Sequence, residues 1–201
     1  MNKTINNLAI IQARTNSTRF PGKVLKEICS MPMILFQINR LKKSKNINKI
    51  VLATSTNKED DHLAQIVKES GNVVFRGELE DVLGRFYNCS KLYKPRNIIR
   101  ITGDCPLIDP KIVDKVVNMY FKSDAEYVSN VFPPTFPDGL DVEIFSSKRF
   151  ISSSSKSLPN MSSSTLDLFV EEGKNMDSEM ASAFEDRFVL VRTRRETCED
   201  G

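Results

Sequence analysis

The chain has no tryptophan, a single histidine and only four cysteines in 201 residues. The cysteines (Cys29, Cys89, Cys105 and Cys198) form no CxxC pair, and His62 is the one imidazole. A zinc-type site is therefore not expected, and cysteine this sparse does not describe a disulfide framework. Long apolar runs are also missing. The first one ends at Gln12 and Arg14, too short for a signal peptide, and nothing reaches the length of a membrane span. Charge of one sign is missing too: 29 basic against 26 acidic side chains leave +3, with none of the basic stripe of a general nucleic-acid binder. Neither GxGxxG nor GxxxxGK[ST] occurs, which excludes the usual dinucleotide fingerprint and the P-loop. These absences describe a reducing, cytoplasmic protein, in which the Asn16-Ser17-Thr18 sequon has no meaning for glycosylation.

The 40% of apolar residues is enough for a real core. Apolar, β-rich runs recur at 8–11, 49–55, 72–77, 97–103, 125–130 and 141–145. Between the first five lie stretches of helical period, at 34–43, 59–71, 79–93 and 110–121. Strand and helix in alternation predict an α/β fold: a single domain with a mostly parallel central sheet flanked by helices, over residues 1–150. Ligands of such sheets bind at the carboxyl ends of strands. After residue 150 the character changes. Residues 151–165 are serine-rich and read as a linker, so 151–201 is expected to be a divergent, partly disordered segment. Within it, FVLVRTR (188–194) has the composition of a strand.

Four stretches carry candidate chemistry. AIIQARTNSTRFPGK (9–23) follows an apolar strand with Arg14, Arg19 and Lys23, and adds the hydroxyls of Ser17 and Thr18. Arginine forks onto two phosphate oxygens and lysine acts as a movable point charge, so the loop suits a small polyanion; a solvated loop explains the same residues. RITGDCPLIDP (100–110) places Asp104 at the end of a strand, where a carboxylate can hold Mg²⁺ or can cap its own turn. In FRGELEDVLGRF (75–86), Asp81 and Arg85 stand four apart, as a surface ion pair or as groups turned toward the crevice. PPTFPDGLDVE (133–143) is a stiff loop presenting Asp138, Asp141 and Glu143 to a metal or an acceptor, or simply a connector.

Taken together and in order, IIQARTNSTRFPGKVL, VLATSTNKEDD, VFRGELEDVLGRF, RITGDCPLIDP and YVSNVFPPTFPDGLDVEIF resemble the cytidylyltransferases of the spore coat polysaccharide biosynthesis type, relatives of the acylneuraminate and ketodeoxyoctonate cytidylyltransferases. The resemblance covers residues 8 to about 150. It implies a nucleotide-diphospho-sugar transferase fold of the glycosyltransferase-A kind, CTP and Mg²⁺ as ligands, and transfer of CMP to an acidic sugar or related polysaccharide precursor. Matched onto this chain, Gln12, Ala13, Arg14, Ser17, Arg19 and Lys23 embrace the nucleotide. Thr54, Arg76, Arg85 and Thr102 lie near it. Asp104 holds the metal, and Asp138, Asp141 and Glu143 face the acceptor. Arg14, Arg19, Lys23 and Asp104 are the implied catalytic set. Family C-terminal halves often provide a dimerisation surface, so a homodimer is the expectation the resemblance implies.

The resemblance stops near residue 150. Members continue into an Arg-Glu-His-Val-Thr-like segment and a later metal-binding aspartate; here a serine-rich tract stands instead. A truncated chain, an altered reading frame and true divergence all fit that departure. Three functions follow in order of preference: an active cytidylyltransferase, a nucleotide-binding relative without turnover, and a uridylyl- or guanylyltransferase on the same fold.

Overall fold

The computed structural model describes residues 5–16, 20–131, 136–154 and 189–191. In chain order the elements are β1 (Asn7–Gln12), β2 (Glu27–Ile28), β3 (Met31–Pro32), α1 (Met33–Leu41), β4 (Lys49–Ser55), α2 (Asp61–Glu69), β5 (Val73–Gly77), α3 (Val82–Tyr93), β6 (Asn97–Thr102), α4 (Pro110–Lys122), β7 (Tyr127–Ser129), β8 (Glu143–Ser146), α5 (Ser147–Ser154) and β9 (Val189–Val191). Short 3₁₀ turns occupy Lys23–Leu25 and Lys58–Asp60.

Strand β1 is buried along Leu8 to Ile11. A strand without a polar face needs helices on both sides. Ala9 and Ile11 point to one layer, where α1 contributes Ile34, Ile38 and Leu41, α2 contributes Leu63 and Val67, and α4 contributes Val113, Val116 and Val117. Leu8 and Ile10 point to the other, against Phe86 and Cys89 of α3 and Phe150 of α5. The seven-stranded sheet has the order β5-β4-β1-β6-β8-β7-β9. β5, β4, β1 and β6 run parallel. The far side is antiparallel, because β8 pairs against β6 and β7, and β9 against β7. The α/β class with a mostly parallel central sheet is therefore as expected.

Several boundaries differ from the sequence reading for identifiable reasons. Helix α3 begins at Val82, because the Asp81 carboxylate accepts the Gly84 N–H (2.6 Å) and caps it there. Asp81 and Arg85 are thus a cap and a buried side chain, in place of the surface ion pair that was one reading. The β2–β3 ribbon was not anticipated. It turns on Cys29 and Ser30, both left-handed at φ 51° and 59°. Hairpin turns of that geometry are usually announced by Asn-Gly or Asp-Gly, and Cys-Ser gives no such announcement. At the other end, α5 runs across residue 150 into the serine-rich stretch, and Val189–Val191 does form a strand, at the edge of the sheet. The expected disorder of 151–201 falls mostly outside the described residues.

Candidate functional site

The carboxyl ends of β4, β1 and β6 lie side by side, with Gln12 in register with both Ala53 and Thr102. Past these ends the strands stay sutured. The Ala13 N–H reaches the Ala53 carbonyl (3.2 Å), and the Gly103 N–H reaches that of Gln12 (2.8 Å). A Cβ on Gly103 would lie 2.4 Å from that of Ala13, so glycine is required here by the neighbouring strand. The first loop leaves the sheet at Ala13 and returns at Gly22, whose N–H donates to the Thr15 carbonyl (2.8 Å). Gly22 has φ +71°, which turns the chain into the 3₁₀ turn starting at Lys23.

That turn delivers Lys23 to Asp104, with Nζ donating to a carboxylate oxygen at 2.9 Å. Burial pushes the Asp104 carboxyl up, but hydrogen bonds from Lys23 and Thr102 outweigh it and hold it below the ordinary value. The Thr102 carbonyl accepts from the buried Gln37 amide (2.7 Å), which fixes the strand end behind Asp104. Cys105, next in the chain, is buried, and burial, opposed by Thr102 and supported by Asp104 and Asp141, pushes its thiol up to about 11. Asp141 belongs to the same acidic neighbourhood. Burial raises its carboxyl, and Asp138, Glu143 and Asp104 add to the shift. Asp138 is exposed.

Glu143 does not face an open acceptor side. It is 6% exposed, one oxygen is paired with Arg100, and the other accepts from the Tyr127 hydroxyl (2.9 Å). Arg100 also donates to the Gln12 side-chain carbonyl (3.4 Å), so this buried set braces Gln12.

On the β4 side lie Arg14, Thr54, Arg76 and Arg85. Arg85 is buried, donating to the carbonyls of Glu78 and of Leu79 (2.7 Å). Its pKa is lowered by burial and then by the Arg14 cation, which places exposed Arg14 in its neighbourhood. Arg76 braces the next loop: it donates to the carbonyls of Ser55 (2.7 Å) and Asn57 (2.9 Å) and pairs with Asp61 (2.7 Å). Two of the arginines implied as nucleotide neighbours thus hold loop carbonyls. Among the described residues, the Thr15 and Thr54 hydroxyls and Arg85 Nε are buried without a protein partner. The sequence reading missed Asp60, a buried carboxylate that contacts both the first loop and β4. Its surroundings, Asn-Lys-Glu-Asp-Asp, carry no sequence signal of burial. Ser17 and Arg19 lie outside the described residues. The strand ends therefore bring together Gln12, Ala13, Lys23, Thr102, Asp104 and Asp141 on one flank and Arg14, Thr54, Arg76 and Arg85 on the other. Cations and a hard oxygen donor on adjoining loops suit a phosphate-bearing ligand.

The chain is 41% identical over 138 residues to an uncharacterized protein of Methanocaldococcus jannaschii, covering 69% of this chain and 56% of that one. It is 40% identical over 124 residues to the spore coat polysaccharide biosynthesis protein SpsF of Bacillus subtilis, covering 60% and 52%. The chain thus spans about half the length of these relatives. Among solved structures, a cytidylyltransferase from Leptospira borgpetersenii superposes with a TM-score of 0.75 at 36% identity, covering 84% of this chain and 71% of that one. The family model described as cytidylyltransferase matches residues 8–156, and with that match the chain belongs to the cytidylyltransferase family.

Proposed function

We propose that this chain carries the nucleotide site of a CTP-dependent transferase that moves CMP onto an acidic sugar or related polysaccharide precursor and releases pyrophosphate. The observation that carries the reading is the Lys23–Asp104 pair at the carboxyl ends of β1 and β6, with Arg14 and Arg85 across the first loop. Family membership makes CTP the expected nucleotide, and the SpsF relative makes a polysaccharide precursor the expected acceptor class.

In this reading an acceptor oxygen attacks the α-phosphorus. A new P–O bond forms in line, the α–β P–O bond breaks, pyrophosphate leaves with the electron pair, and the acceptor proton passes to solvent. Such a reaction asks the protein for positioning and charge stabilisation more than covalent work. Arg14 and Lys23 meet the negative charge of the triphosphate, with Arg19 as the third loop cation. The Ala13 segment supplies rigid backbone, because it is hydrogen-bonded to β4 and followed by the Gly103 contact.

The donor chemistry suits Mg²⁺. Asp104 is a hard oxygen ligand, 41% exposed, and among the described residues no group of three or more His, Cys, Asp or Glu converges. Mg²⁺ is characteristically held by one or two carboxylates with phosphate and water completing its shell. Asp104 would hold the ion, with Asp141 as the neighbouring carboxylate; when bound, it would supply neutralisation of phosphate charge. The homodimer implied by the resemblance belongs to this proposal and is measured by sedimentation.

Calorimetric titration with each of the four ribonucleoside triphosphates, with and without Mg²⁺, tests the reading. Metal-dependent binding of CTP alone, followed by pyrophosphate release with an acidic sugar, is the expected result. Preference for UTP or GTP would move the chain to another nucleotidyl donor. CTP binding without release across acceptors would make it a binding relative, and no binding of any triphosphate would overturn the site.

A further inference from the structure

Asp60 is 2% exposed and carries no ion pair among the described contacts, yet both its oxygens are engaged. One accepts the backbone N–H of Thr15, 45 residues away, at 2.7 Å. The other accepts the backbone N–H of Ser55 at 3.2 Å and the Ser55 hydroxyl. Thr15 is held at both of its backbone groups, since its carbonyl receives the Gly22 N–H that closes the loop. A second contact joins the same segments, from the Asn16 amide to Glu59 (3.0 Å). A buried carboxylate costs desolvation that an apolar residue would not. Here that cost links two specific things: the end of β4 and the middle of the loop that carries Arg14.

We infer that Asp60 is a positioning residue, which fastens the first loop at Thr15 and so presents Arg14 and the Ala13 backbone in one arrangement before a ligand arrives. The inference rests on reading that loop as the triphosphate cradle. A loop ordered in advance spares the ligand the cost of ordering it, so the tether acts on affinity. Among the described contacts Asp60 touches neither Lys23 nor Asp104.

The test uses Asp60→Ala and Asp60→Asn in the full chain. In nucleotide-free protein, Asp60→Ala raises the amide exchange of Thr15 by about ten-fold or more, as expected for a lost charged hydrogen bond. Exchange at Ile10 and Leu52, inside the sheet, stays slow. In turnover, KM for Mg-CTP rises by about ten-fold while kcat stays within about three-fold, the pattern of lost binding. Asp60→Asn keeps the shape and one acceptor, and recovers part of both effects. Unchanged Thr15 exchange in Asp60→Ala overturns the tether; raised exchange with an unchanged KM overturns its role in binding. Should Asp60→Ala fail to fold, shown by fast exchange at Ile10 and Leu52, Asp60→Asn takes its place. That variant removes the charge from the acceptor of the Thr15 N–H, and unchanged Thr15 exchange in it overturns the inference. Failure of the wild-type chain to bind any triphosphate is a separate outcome, which removes the cradle reading while the exchange result still decides the tether.

Discussion

Lys23 and Asp104 stand 81 residues apart in the chain and 2.9 Å apart in space. Each was singled out from its own loop, one as a phosphate cation and the other as a metal carboxylate; their pairing was not visible, because register between β1 and β6 sets it. Lys23→Ala and Asp104→Ala are each expected to lower turnover by about 10²–10³, the usual effect of deleting one electrostatic stabiliser. Pyrophosphate release at saturating CTP measures it, and near-normal turnover in either variant removes that residue from the mechanism. Gly103 packs directly against Ala13, so Gly103→Ala is expected to push the first loop outward and cost about 1–3 kcal/mol, as overpacking does. Chemical denaturation of the variant measures that cost, and an unchanged midpoint would show that the strand ends can separate freely. Asp60 was illegible for a different reason. A carboxylate among Lys58, Glu59 and Asp61 gives no sign of burial until a 3₁₀ turn points it inward.

Among the elements, helices with a strong apolar stripe and strands buried on both faces were readable from periodicity alone. β4 matches the reading at 49–55, and α4 starts at Pro110 as expected, with Asp109 capping it (2.8 Å to the Lys111 N–H). What periodicity did not show is which elements carry the weight at the edge of the chain's regular part. Helix α5 contains ISSS and looks like the start of a linker, yet it buries Phe150 completely, with its ring 5.3 Å from that of Phe145. Phe150→Ala is expected to cost about 3–5 kcal/mol, as for other buried aromatics. Equilibrium urea unfolding checks this, and a loss under about 1 kcal/mol would make α5 dispensable. Glu143 shows the reverse error. It was grouped with Asp138 and Asp141 because the three share a loop, but strand alternation turns it into the sheet toward Arg100 and Tyr127. Glu143→Gln leaves the Arg100 cation without its anion at a site where the side chains are 15% and 7% exposed. Breaking such a buried pair from one side costs about 3–5 kcal/mol, and the same unfolding measurement reads it.

For the whole molecule, the carboxylates tie stability to pH. Asp60 and Asp104 have folded-state pKa values lowered from 3.8, because hydrogen bonds outweigh burial. A lowered carboxyl contributes its stability fully above the unfolded value and loses it as pH falls through the folded one. The melting temperature is therefore expected to fall as pH drops below about 4, and Asp104→Asn is expected to flatten part of that limb. Asp141 is shifted upward by burial and its acidic neighbours, so it works in the opposite sense and offsets part of the loss. A melting profile from about pH 6 to 2 measures the balance, and identical acid limbs in wild type and Asp104→Asn would show that the Lys23 pair contributes nothing to folding. No helix among the described residues is long and apolar enough to cross a membrane.

The sequence by itself determined the class of the fold and the place of the first-loop cations in it. Local patterns suffice for both: apolar strands alternating with amphipathic helices dictate a layered sheet, and cations directly after the first strand must then lie at its carboxyl end. Tertiary structure alone decided which charged residues meet. Lys23 reaches Asp104 and Asp60 reaches Thr15 across the sheet, while Glu143, Arg76 and Arg85 are engaged with Arg100, Tyr127, Asp61 and loop carbonyls. The physical reason is that a charged side chain looks the same in a sequence whether it is solvated, buried with a partner or poised toward a ligand. Only the register of distant strands, set by the packed core beneath them, chooses among the three.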